Sequence, residues 1–125
     1  VRGNIAAGKP QFVARAGNEI VGWCDIARGR TEIGRTHVGT LGMGVISGFR
    51  GQGIGERLMR TTIDAALKQG MTRIELEVRT GNAAAIALYK KVGFELEGTR
   101  RAAGFQDGAY FDLHHMALLA GDARR

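Results

Sequence analysis

Proline occurs once in the 125 residues, at Pro10, and cysteine once, at Cys24. A single cysteine excludes an intramolecular disulfide framework and any multi-cysteine zinc site. One proline excludes a proline-rich or collagen-like chain. Aromatic residues make up only 6% of the chain, with no pattern like the stacking platforms of RNA-binding sheets. No apolar run approaches the roughly 18 residues that suggest a membrane span. No charged-then-apolar leader follows Val1, so the expectation is a cytoplasmic protein with no membrane partner. Acidic residues are the scarcer charge, 12 against 18 Lys and Arg, for a net +6. The arginines are scattered (Arg28, Arg30, Arg35; Arg57, Arg60; Arg100, Arg101) rather than stacked along one helix, which argues against nucleic acid.

Glycine is abundant where these are scarce: 20 residues, more than twice the usual ~7%. The length suits one domain spanning residues 1–125. Residues 1–10 show no clear first strand and read as the middle of something longer, so an N-terminal segment is expected to be missing. Residues 11–27 read as a hairpin around Gly17-Asn18, with Phe12 and Trp23 facing the core. A polar loop, 27–36, leads to a glycine-loosened strand, His37 to Ile46. Ile54, Leu58, Met59, Ile63, Ala66 and Leu67 then fall on one helical stripe that Gly70 closes. Arg73 to Arg79 alternates strictly and reads as a strand. Asn82 caps a second helix, Ala83 to Val92, closed by Gly93. Phe94 to Gly98 and Tyr110 to Leu119 read as a hairpin around Gln106-Asp107-Gly108, with a variable loop from Arg100 to Asp107. Helices crossing between parallel strands, with a terminal antiparallel hairpin, predict a mixed α/β sheet.

Between strand and helix stand Gly51, Gly53 and Gly55, beside Arg50. Glycines at a helix N-terminus leave backbone N–H groups open to a phosphate, and an arginine adds a fork of donors. The segment is not a P-loop, because Ile54 and Gly55 follow Gly53 where lysine and a hydroxyl belong. Glu56 stands where the dinucleotide fingerprint needs its third glycine.

Arg50-Gly51-Gln52-Gly53-Ile54-Gly55 resembles the R/Q-x-x-G-x-G/A signature of the GNAT N-acetyltransferase superfamily. Asn82, Tyr89 and the pair Gly93-Phe94 repeat that family's N-x6-Y-x3-G-F spacing, and the resemblance extends over residues 11–119. It implies a mixed, mostly antiparallel sheet flanked by helices, with the family's first strand and the helices after it absent. It also implies acetyl-coenzyme A as co-substrate and no metal. Direct attack by a primary amine, on a small molecule or a peptide, follows from the same likeness. Leu76-Glu77-Val78-Arg79 looks like ribosomal-protein alanine N-acetyltransferases, whereas the tail from Gly93 to Thr99 looks more like amino-acid N-acyltransferases.

By the same resemblance Met43, Gly44 and Val45 line the pantetheine arm. Arg50, Gly51, Gln52, Gly53, Ile54, Gly55 and Glu56 hold the pyrophosphate, and Asn82 assists. Tyr89 is the general acid: a phenol stays neutral near pH 7 and can donate to a leaving thiolate. Glu77, twelve residues earlier, is the candidate proton acceptor, with a solvated strand glutamate or a water as alternatives. Thr40 stands where other members carry an acid. The strand from Leu41 to Val45 can offer a backbone donor if its end splays from the next strand. His37, His114 and His115 suggest no metal site, and the last two must point to opposite faces. Cys24 reads as a buried apolar residue. The competing reading is a noncatalytic module that binds acyl-coenzyme A or docks a partner. A lost first strand would also leave a sheet edge for a second copy of the chain to cover.

Overall fold

The computed structural model describes residues 2–6, 9–29 and 33–124. Arg30, assigned above to a polar loop, lies outside them. Seven strands form one sheet: β1 (Arg2–Ala6), β2 (Lys9–Ala16), β3 (Glu19–Arg28), β4 (Val38–Val45), β5 (Arg73–Arg79), β6 (Glu95–Gln106) and β7 (Ala109–Leu119). Their order is β1-β2-β3-β4-β5-β7-β6. The first correction is β1 itself, which pairs antiparallel with β2 from Arg2↔Val13 to Ala6↔Lys9. The strand at this end of the sheet is therefore β1 rather than β2.

All directly paired strands are antiparallel except β4 and β5. The connection between those two is α1 (Ile54–Lys68), and α2 (Ala83–Val92) links β5 to β6. Strands β5 and β6 run the same way, but β7 lies between them. The second expected crossover thus spans an intervening antiparallel strand.

Leu58, Met59, Ile63 and Ala66 on α1 are buried, and Ile54 and Leu67 pack partly against the same core. Thr62, also buried on that face, satisfies its hydroxyl by donating to Leu58 O (2.7 Å). Ile74, Leu76 and Val78 bring the buried face of β5 into this core, with Cys24 and Ile26 from β3. Ala85, Ile86, Leu88, Tyr89 and Val92 of α2 pack on it in part.

Trp23 corrects the reading that put it in the core: it is 42% exposed. A register shift between Ala14 and Arg15 leaves Val21 as an extra residue on β3. A bulge of this kind resets which residues face inward. The Trp23 indole lies across β4 on the opposite face, where Gly42 and Gly44 leave it room. A Cβ on Gly44 would meet its Nε1 at 2.9 Å.

The segment from Arg100, expected as a loop, is strand. It continues β6 to Gln106 with register shifts at Leu96/Gly98 and Arg100/Gly104. The hairpin turn falls where predicted, with positive φ at Asp107 (52°) and Gly108 (77°). No helix of the described residues is long and apolar enough to cross a membrane.

Candidate active site

The site begins where β4 and β5 part. They pair only from Val38↔Arg73 to Thr40↔Glu75, although β4 continues to Val45 against β3. Val38 O accepts from Gly29 N–H (2.7 Å), and Ile46 N–H donates to Val21 O (2.8 Å). Even-numbered residues of β4 therefore bond toward β3. Backbone groups alternate sides along a strand, so Leu41, Met43 and Val45 turn theirs into the gap. Arg50 Nε reaches back to Val45 O there (3.3 Å).

A cleft of about 440 Å³ opens beside this free edge. Its walls include Met43, Gly44 and Val45 from β4, Arg50, Gly51, Gly53, Gly55 and Glu56 from the loop and first turn of α1, and Asn82 and Tyr89 from α2 and its cap. Gly51 and Gly53 hold φ of +81° and +77°, a conformation that side chains disfavour. Gly53 is the N-cap of α1, and no side chain caps that end. The first amides of the helix lack partners within it. Open donors, the positive end of the helix dipole and Arg50 together suit a diphosphate.

Glu56 is an acid in this cradle, and its charge is countered twice. Its carboxylate meets Lys91 Nζ of α2 and Arg60 Nε, both at 2.9 Å. Lys91 first and Arg60 second hold its carboxyl below the usual range. Gln52 is exposed and Ile54 turns partly into the core. Neither side chain is on the cleft wall, so each can contribute only backbone there.

Asn82 accepts from Ala85 N–H (3.2 Å), so it caps α2 while standing at the cleft. Tyr89, on the same helix, packs near Phe94 with ring centroids 6.2 Å apart. Burial, then the nearby Cys24, push its phenol above the ordinary value, so it remains protonated at neutral pH. The sequence reading missed Phe49, Ala84, Ala85 and Leu88 in the wall. Ala85 lies three residues before Leu88 and four before Tyr89, the spacings that make side chains neighbours on a helix, which is a usable signal. Nothing comparable marks Phe49.

Glu77 lies elsewhere. Its neighbours Leu76 and Val78 point into the core, so Glu77 stands on the opposite face of β5, two residues beyond the last pair with β4. There it meets Arg100 Nε at 3.2 Å and His115 Nδ1 at 3.9 Å. His114 faces the other way, 2.8 Å from Thr99 Oγ1. Thr40 is exposed at the fork itself. Among the described residues, no group of three His, Cys, Asp or Glu side chains is placed to hold a metal ion.

The family model described as acetyltransferase (GNAT) family matches residues 4–94. The chain belongs to that family. It is similar to the N-alpha-acetyltransferase RimI of Mycobacterium tuberculosis, with 43% identity over 110 residues, 87% of this chain and 65% of that protein. It is also similar to the L-amino acid N-acetyltransferase AaaT of Escherichia coli, with 40% identity over 86 residues, 68% of this chain and 53% of that one. The chain thus spans less than two thirds of the length of either relative. Among solved structures, a ribosomal-protein-alanine N-acetyltransferase from Brucella melitensis superposes with a TM-score of 0.84 at 33% identity, covering 90% of this chain and 69% of the other. The two likenesses drawn from the sequence, to protein-alanine and to amino-acid enzymes, both have counterparts among these family members.

Proposed function

We propose that this chain is an N-acetyltransferase that moves the acetyl group of acetyl-coenzyme A to a primary amine by direct attack in a ternary complex. The observation that carries this reading is the free edge of β4, set between the glycine cradle and Tyr89. The cradle suits the pyrophosphate, and acetyl-coenzyme A supplies the thioester. Met43 and Val45 offer backbone N–H groups at the gap, where a carbonyl oxygen needs donors as charge builds on it. Tyr89 protonates the leaving sulfur, and Glu77 takes a proton from the amine on the far side of the parted strands. The names of RimI and AaaT point to α-amino groups, so the acceptor is taken to be the α-amino group of a peptide or an amino acid.

Isothermal titration with acetyl-coenzyme A, on this chain and on an Arg50→Ala, Gly53→Val double variant, tests the cradle. Binding by the chain and none by the variant is expected. Thiol release with a panel of peptide and amino-acid amines tests transfer. Tyr89→Phe should still bind the coenzyme while its rate falls by about 10²–10⁴, the usual range for one general acid. Binding without thiol release from any amine would make the chain a coenzyme-binding module instead.

A further inference from the structure

The face of the sheet away from α1 and α2 carries a large aromatic side chain beside the fork, and the chemistry above does not use it. Trp23 on β3 pairs with Gly44 of β4, and Asp25 with Gly42. The indole extends along β4 over both glycines. A Cβ on Gly44 would meet its Nε1 at 2.9 Å, and one on Gly42 would meet Cζ3 at 3.5 Å and Cη2 at 3.6 Å. The ring therefore spans the position of Met43, whose N–H is proposed above to hold the thioester carbonyl. Beside it lies a hollow of about 270 Å³ whose walls include Ile20, Trp23, Gly44, Val45 and Ile46. We propose that this hollow receives the side chain of the acceptor, with Trp23 as the residue that selects it. The amines acetylated best then carry a large apolar group on the carbon next to the nitrogen. This rests on the acetyl-transfer reading above and names its substrate class.

Position, lining and charge all favour an acceptor group there. The hollow adjoins the coenzyme cleft, because Gly44 and Val45 are walls of both. None of the described residues that line it is charged. Ile20, Trp23 and Ile46 are each about half exposed, at 49%, 42% and 52%. Exposed apolar residues scattered singly need no partner, but a contiguous group marks a binding surface. Carboxylates on this face of the sheet already have cationic partners. Asp25 has Lys9 at 3.5 Å, Glu75 has Arg73 at 2.8 Å and Glu77 has Arg100 at 3.2 Å. Among the described residues, what the face offers beside the free end of β4 is apolar.

Glycine weakens a strand, since it packs nothing against its neighbours. Two glycines under one half-exposed ring are explained if the indole must lie against β4, leaving its outer surface to a guest. An acceptor bound with its nitrogen toward Glu77 of β5 has its side chain over β4, where the indole stands. A cavity of about 150 Å³ holds a benzene molecule, so the hollow admits a side chain as large as that of leucine, methionine or phenylalanine. One methylene in an apolar pocket changes kcat/KM by about 10–200-fold. The hollow is open on one side, so the lower end of that range applies to the whole side chain.

Trp23 is the only tryptophan in the 125 residues, so its fluorescence reports on the hollow alone. With coenzyme A bound, which has no acetyl group to give, leucine amide should move the emission to shorter wavelength as water leaves the ring. Glycine amide should not. This measurement needs no variant to fold. Rates are then compared for glycine, leucine and phenylalanine, each as the free amino acid and at the N-terminus of a tripeptide. In the wild-type chain, kcat/KM should favour leucine or phenylalanine over glycine by about tenfold or more. In Trp23→Ala that ratio should fall to near one while coenzyme A still binds, and Trp23→Phe should restore part of it. An emission that leucine amide leaves unmoved overturns the proposal, and so does a preference that survives in Trp23→Ala. Emission that shifts when the chain alone is concentrated puts a second copy in the hollow and also overturns it. A wild-type chain that shows the leucine-amide shift but transfers acetyl to no amine overturns the acetyl-transfer reading and leaves the hollow as an amine-binding site.

Discussion

Glu56 and Lys91 join the two helices that flank the cleft, their side chains meeting at 2.9 Å between the first turn of α1 and the last turn of α2. This pair places a carboxylate in a cradle suited to an anion and then mutes it. Glu56→Gln should tighten acetyl-coenzyme A binding, and Lys91→Ala should weaken it, each by about two- to fivefold, as suits partly exposed charges. Calorimetry at low salt and again near 1 M salt checks this, because the difference should shrink when the charges are screened. Equal effects in the same direction would contradict it.

The cradle also makes a prediction about backbone. Gly53→Ala forces a Cβ into a left-handed conformation, at a cost of about 1–2 kcal/mol, and should lower the melting temperature along with coenzyme affinity. Gly48→Ala is the control. A Cβ there meets nothing within 4 Å, and its φ is not left-handed. Its stability and binding should match those of the wild type. Thermal melts with and without acetyl-coenzyme A separate the two cases.

Acid should loosen the far face first. Burial pushes the Glu75 carboxyl up, but Arg73, with His115 and Arg35, outweighs it and holds the group below the usual range. Arg73 likewise lowers Glu97. A depressed carboxyl contributes stability above its unfolded value, about 4.3, and loses it as pH falls through the lower folded value. The melting temperature should therefore be level above about pH 5 with respect to these groups and fall below it. Arg73→Met should cost about 1–2 kcal/mol at pH 7, with the share of Glu97 reduced by solvent, and should flatten the acid fall. Melts between pH 3 and 7 measure both.

Alkali acts through Cys24. Burial pushes its thiol up to about 11. The folded chain thus favours the neutral thiol, and stability is lost as pH climbs from the unfolded value, about 8.5, toward 11. At pH 8 a disulfide reagent should label Cys24 no faster than the chain unfolds. Rapid labelling of the folded chain would show that the thiol is reachable.

Much of this was legible in the sequence because it rests on local spacing. The cradle needs only Gly51, Gly53 and Gly55 at a helix start, and α1 needs only its apolar stripe. What the sequence hid depends on register. Trp23 seemed a core residue because it sits in an apolar run. The extra residue at Val21 changes which neighbours point inward, and Gly42 and Gly44 then seat the indole on the other face. Residues 100–106 read as a loop because the register shift between Arg100 and Gly104 breaks the alternation that marks a strand. β1 is short, and its strand character comes from β2 alongside it. Nothing local marks the surroundings of His115, because Glu75, Glu77 and Glu97 gather around it only through the pairing of three strands.

The parting of β4 from β5 leaves an unfinished seam in an otherwise continuous sheet. Residues 41–45 keep one edge unzipped, and the sheet would be firmer if that seam closed. Selection for a sturdier sheet and selection for a usable seam therefore pull against each other at the same five positions. Stabilising substitutions sought by thermal screening alone would tend to sew it shut.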